Sequence, residues 1–241
     1  MRCKLSDDPA GCREAALSAI DHDQLLSLVA DPQSVRDLGV YFGVNAPPSS
    51  PVFSGRRFGS LGLGGRRDDD PNQFTAADLL AVQCLSVTVP IEVAIDLLEG
   101  DLGLQIGDLL AKINSDTDLG TGDSRSLVDD GQEADQAWKL LKRQDDVGWV
   151  TAGKLLARKR PRLIPIWDNV VRCAFGRPKS AWIWLDHMLR EKDGMLLQLL
   201  SKAREDGELT EQISLLRTLD VVVWMRHRNS HRPSRCPGLV P

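Results

Sequence analysis

Residues 137–177, AWKLLKRQDDVGWVTAGKLLARKRPRLIPIWDNVVRCAFGR, decide how this chain is read. Ala137, Leu140 and Leu141 fall on one helical face, and Asp145-Asp146-Val147-Gly148 breaks the periodicity. A second apolar-periodic run, WVTAGKLLARK, follows at once. Gly148 is expected to supply the backbone freedom of the turn. The first amides of the helix opening at Thr151-Ala152 are left without intrahelical partners and free to face an anion. RPRLIPIW is extended, bounded by prolines. A further helix begins at Asp168, which reads equally well as an N-cap, and stops at Gly176.

Helical punctuation continues on both sides. Upstream, FTAADLLAVQCLSV offers Thr75 as N-cap and Asp78 as the third-position acid of a capping box. IEVAIDLLEG ends at Gly100, and LGLQIGDLLAKI is a short helix. Downstream, SAWIWLDHMLREKDG, MLLQLLSKAREDG and LTEQISLLRTLDVVVWM are helical, each bounded by Ser, Thr, Asp or Gly. VTVPI and DVVVWM are the only strand-like runs, and both sit inside helical pattern. The fold class is therefore mostly α. Residues 1–73 read as an N-terminal helix followed by a long Gly/Pro/Arg-rich loop (43–73), 74–225 as the helical domain, and 226–241 as a basic disordered tail.

The 241 residues are 42% hydrophobic, enough for one sizeable core or two small lobes sharing a cleft. A net charge of −4 argues against a simple nucleic-acid coat protein. Locally the balance reverses. Residues 138–179 hold eleven Lys and Arg against three Asp, a net +8 that leaves the rest of the chain at −12. A basic motif on an acidic body fits a localised phosphate footprint. No apolar run approaches the ~18 residues of a membrane span. The first twenty residues lack a signal-peptide core, so the cytoplasm is the expected compartment. Five cysteines, none spaced C-x-x-C, argue against a disulfide framework and a zinc or iron–sulfur site. Cys84 and Cys173 read as core thiols, and His187 and His227 as lacking a metal-spaced partner. Most tryptophans read as core, with Trp167 the one to consider for base stacking.

The 137–177 unit resembles the helix-hairpin-helix and aspartate motif of the endonuclease III and adenine glycosylase superfamily. In that family Val-Gly, two variable residues, Thr-Ala, an apolar helix and Pro-x-x-Asp succeed one another. Here they are Val147-Gly148, Thr151-Ala152, Leu155-Leu156 and Pro165 to Asp168. The resemblance implies a two-lobed helical bundle with the hairpin at 137–159, and double-stranded DNA as partner. It implies Asp168 as the catalytic carboxylate, stabilising the cationic sugar or activating water. Val147, Gly148, Trp149, Thr151, Lys154, Arg158, Lys159, Arg160 and Arg172 become the nucleic-acid contacts. No cofactor and no metal are implied. Bifunctional members carry a lysine where this chain has Val150, so a monofunctional glycosylase is expected. The family's Pro-Gly at the hairpin is Asp145-Asp146 here, and Val87-Thr88 replaces its glutamines. A non-catalytic nucleic-acid-binding or helical protein-interaction module is the alternative. Over nearly its whole length the chain also resembles an uncharacterised actinobacterial family of unknown function, through KLLARKRPRLIP and LDVVVWMRHR.

Overall fold

A computed structural model describes residues 20–62 and 70–232. Among these residues there is no strand. The helices are α1 (His22–Ala30), α2 (Pro32–Phe42), α3 (Ala76–Gln83), α4 (Ile91–Glu99), α5 (Asp101–Leu110), α6 (Ser124–Val128), α7 (Glu133–Lys142), α8 (Trp149–Lys159), α9 (Asn169–Ala174), α10 (Ala181–Asp206) and α11 (Leu215–His227). No described helix is long and apolar enough to cross a membrane.

Local chemistry starts and stops these elements. Thr75 and Asp78 form the expected capping box at α3, and Asp21 with Gln24 forms another at α1. Asp31 caps α2 ahead of Pro32, which occupies the first-turn position where its missing N–H costs nothing. Gly100 ends α4 and opens α5 with extended backbone. A Cβ there would lie 2.0 Å from the Asp96 carboxylate, so space demands the glycine. The two helices read at 181–206 run as α10 with a sharp break at Glu191–Gly194, where Lys192, Asp193 and Gly194 all take left-handed dihedrals.

The helices pack in two groups. α1 packs on α10, α2 on α10 and α11, and α11 on α9 and α10. In the other group α3 packs on α8, α8 on α7, α7 on α5 and α5 on α4, while α6 touches both α7 and α10. One continuous apolar cluster runs through both, including Leu25, Leu38, Leu189 and Val222 in the first and Val82, Ile106, Leu141 and Leu155 in the second. Ile20, Leu25, Val29, Leu38 and Tyr41 of the N-terminal stretch belong to this core.

The run Arg158-Lys159-Arg160, read as part of a phosphate footprint, is turned into the protein. Arg158 donates to Asp78 Oδ1 (2.7 Å) and to the carbonyls of Phe58 and Leu61. Lys159 donates to Asp78 Oδ2 and to the Gln73 carbonyl. Arg160, 1% exposed, reaches the carbonyls of Leu110, Ile113 and Pro71 and the side chain of Asn72. Burial pushes the Asp78 carboxyl up, but the Lys159 charge and the hydrogen bonds from Arg158 and Lys159 outweigh it and hold the group below its ordinary value. The described parts of the 43–73 loop are thus pinned by internal cations, and they include a 3-10 turn at Ser54–Arg57. Residues 63–69 lie outside the described residues, as does most of the 226–241 tail. Residues 226 and 227 complete α11.

Candidate functional site

The turn between α7 and α8 delivers the first piece of the site. Its left-handed residue is Asp146 (φ 58°), not Gly148, which caps α8 in extended conformation at φ −77°. Asp tolerates this region better than most residues because its short side chain satisfies local backbone. No side chain caps α8. Val147 is buried, Gly148 exposed and Trp149 half-buried, with the Arg172 guanidinium 5.6 Å over the Trp149 ring. Thr151 is buried.

One turn into α8, Lys154 points into a cleft of about 510 Å³ between the two helix groups. Tyr41, Phe53 and the Ser54-Gly55 backbone form one wall, with Trp224 of α11. Residues 84–87, after α3, lie beside them, with the Ser54 hydroxyl donating to the Cys84 carbonyl at 2.8 Å, and Val150 and Lys154 also line the cleft. Asp168 to Val171 close one end, and Arg217 and Asp220 contribute polar groups from α11. Trp167 does not line the cleft; it is buried, stacked on Phe175 with ring centroids 5.1 Å apart.

The 160–167 stretch, expected to be extended throughout, turns at 161–164, where the Leu163 and Ile164 amides donate to the Arg160 carbonyl, and only 165–167 run on without regular structure to Asp168. Its Oδ1 accepts the Val170 and Val171 amides, both at 2.9 Å, capping α9. Its Oδ2 has no hydrogen-bond partner among the described residues. The side chain is therefore oriented through Oδ1 in a residue that lines the cleft. Lys154, 4% exposed, donates to the Leu85 carbonyl at 2.8 Å. Burial holds its amine below the ordinary lysine value, and the Asp168 charge partly offsets this. Lys154 is thus a cleft residue and not a surface cation.

Arg217 organises α11's share. It donates to both Asp220 oxygens (2.6 and 2.9 Å), to the Tyr41 hydroxyl (2.5 Å) and to the Gly55 carbonyl (3.0 Å). Burial raises the Asp220 carboxyl to about 6, against the opposing pull of Arg217. Burial also raises the Tyr41 phenol. The sequence reading passed over Tyr41, Arg217 and Asp220. The signal was present at the last two: charges three residues apart inside LLRTLDVVVWM, an otherwise apolar helix, need each other when that helix is buried.

Two cysteine and histidine expectations change. Cys173, read as a core thiol, is buried but disulfide-bonded. His227, read as having no metal-spaced partner, lies with Cys173 and His231 so that one ligand atom of each is within 4.8 Å of the others.

Fold and site together define an all-α protein with a half-enclosed cleft in which two carboxylates, a buried lysine and three aromatic rings converge. Residues 34–227 match the family of unknown function DUF6308, and the chain belongs to that family. No curated protein and no solved structure matches it.

Proposed function

We propose that the cleft is the active site of a monofunctional N-glycoside hydrolase acting on nucleic acid, of the DNA-glycosylase kind. The observation that carries this reading is Asp168. It is held by two amides through Oδ1, lines a cleft of ligand-binding size, and lies twenty residues after Gly148 of the α7–α8 turn. When the C–N bond to a base breaks, positive charge develops on the sugar, and a fixed carboxylate stabilises it. The oxygen of an attacking water bonds to the anomeric carbon, and the base leaves with a proton. Asp220, with its carboxyl raised to about 6, is suited to proton transfer near neutral pH. Tyr41, Phe53 and Trp224 line the cleft as one aromatic cluster, an apolar surround for a base withdrawn from the stack. The apolar Val150 supports hydrolysis over lyase chemistry. The uncapped α8 N-terminus with Arg172 beside it is the proposed phosphate contact.

The test is base release from a panel of lesion-containing duplexes, by wild type and Asp168→Asn. Loss of at least 100-fold in the variant is expected. Equal rates in the two proteins, or no release from any lesion by wild type, would refute the reading.

A non-catalytic interaction module is the second reading, and two observations favour it. Asp145 and Asp146 are both exposed at the turn, where they repel phosphate. Ile91, Ile95 and Leu98 form an exposed apolar stripe along α4, and Leu104 of α5 is exposed as well. Absence of duplex binding at low salt would favour this reading.

A further inference from the structure

We propose that Cys173, His227 and His231 form a zinc site that ties α9 to the end of α11. Cys173 lies near the C-terminal end of α9 and His227 is the last residue of α11. His231 is carried by the turn that follows, which its amide closes on the His227 carbonyl at 2.9 Å. One sulfur and two ring nitrogens lie within 4.8 Å of one another. Bonds of roughly 2.0–2.3 Å to a tetrahedral ion place its ligands about 3.3–3.8 Å apart, so modest side-chain rotations close the site. Cys173 and His227 are each 1% exposed and His231 is partly exposed, an arrangement that shields most of an ion while leaving an entry path. A thiolate with two imidazoles selects zinc over hard cations. The Ser230 hydroxyl lies 3.2 Å from His227 Nδ1, where an outer partner would orient the ring for ligation through Nε2.

The sequence pattern agrees. His227 and His231 are spaced H-x-x-x-H. That spacing is the one the two histidines of a Cys/His zinc site commonly have. The disulfide at Cys173 and the metal compete for one sulfur. A tertiary phosphine reduces the disulfide to two thiols and becomes the phosphine oxide, taking its oxygen from water. Zinc then replaces the Cys173 thiol proton, which passes to the buffer. Asp168 caps α9 and α11 carries Asp220, so the ion would brace the two helices that deliver the cleft carboxylates.

The test uses the full chain reduced with a phosphine and titrated with Co²⁺, then with Zn²⁺. One Co²⁺ per chain is expected, with tetrahedral d–d absorption and a thiolate-to-cobalt charge-transfer band, both removed by one equivalent of Zn²⁺. Cys173→Ser is expected to lose the charge-transfer band, and His231→Ala to bind at least 100-fold more weakly. Because His231 is partly exposed, its variant should keep the wild-type circular dichroism spectrum even if Cys173→Ser does not fold. The disulfide form is expected to give no charge-transfer band. The proposal is overturned if the reduced wild type gives no tetrahedral cobalt spectrum. It is also overturned if folded His231→Ala binds as tightly as wild type, or if the disulfide form gives the same spectrum.

Discussion

Asp168 separates a structural from a catalytic role more cleanly than any other residue in the protein. Asn caps a helix about as well as Asp, whereas Ala forfeits the cap at about 1 kcal/mol. Asp168→Asn should therefore leave the urea midpoint nearly unchanged while abolishing base release; Asp168→Ala should lower both. If capping is the whole function of Asp168, Asn will be neutral in both assays. Asp220 makes a pH-dependent prediction. Its carboxyl sits near 6 in the folded state against 3.8 when unperturbed, so the folded chain retains a proton that the unfolded chain has released. Relative to Asp220→Asn, wild-type stability should fall as pH rises from about 4 to 6 and level off above that window. Urea unfolding of the two proteins at pH 4, 5, 6 and 7 checks the sign. At Gly148 a Cβ would meet nothing within 4 Å and φ is negative, so Gly148→Ala is sterically free. A drop in duplex affinity without a matching drop in Tm would show that a ligand approaches that backbone.

α8 does two jobs at its two ends. Its first turn, uncapped and beside Arg172, is open to a ligand. Its last turn is a cationic clamp: Arg158 and Lys159 close on Asp78 of α3, and Arg160 just beyond the helix takes carbonyls at the end of α5. Removing the shared acid strands two buried cations. Asp78→Ala should cost about 3–5 kcal/mol, as breaking buried ion pairs does, read as a lower urea midpoint. Arg160→Lys should rescue little of the loss seen in Arg160→Ala. A point ammonium cannot reproduce a planar fork that serves five acceptors. The helical elements themselves were legible. Thr75 with Asp78, the break before Gly194 and the Pro165-to-Asp168 approach to α9 are short-range steric and hydrogen-bonding devices, and each appears where the sequence puts it. The turn residue was misassigned because Gly and Asp both tolerate left-handed backbone, and local sequence does not choose between Asp146 and Gly148.

At the scale of the molecule, the +8 of residues 138–179 is not a surface property. Arg158, Lys159 and Arg160 are spent internally, and Lys154 faces the cleft, leaving exposed cations such as Lys142, Arg143 and Arg172. If a duplex binds, Lys142→Ala and Arg172→Ala should each reduce the slope of log K against log salt by about 0.9 per lost phosphate contact. Lys159→Met should lower stability and leave that slope unchanged. Titration by fluorescence anisotropy at several salt concentrations distinguishes the two sets.

By itself, the sequence determined the helical character, most helix ends and the spacing that delivers Asp168, because periodicity, caps and prolines act within a few residues of each other. It could not say which way a charged side chain points. An arginine in a basic run and an arginine in a buried clamp have the same neighbours in the chain and differ only in partners 80 or more residues away, as Arg158 and Asp78 show. For the same reason, tertiary structure alone brought Tyr41, Arg217 and Asp220 to Asp168, and Cys173 to His227 and His231.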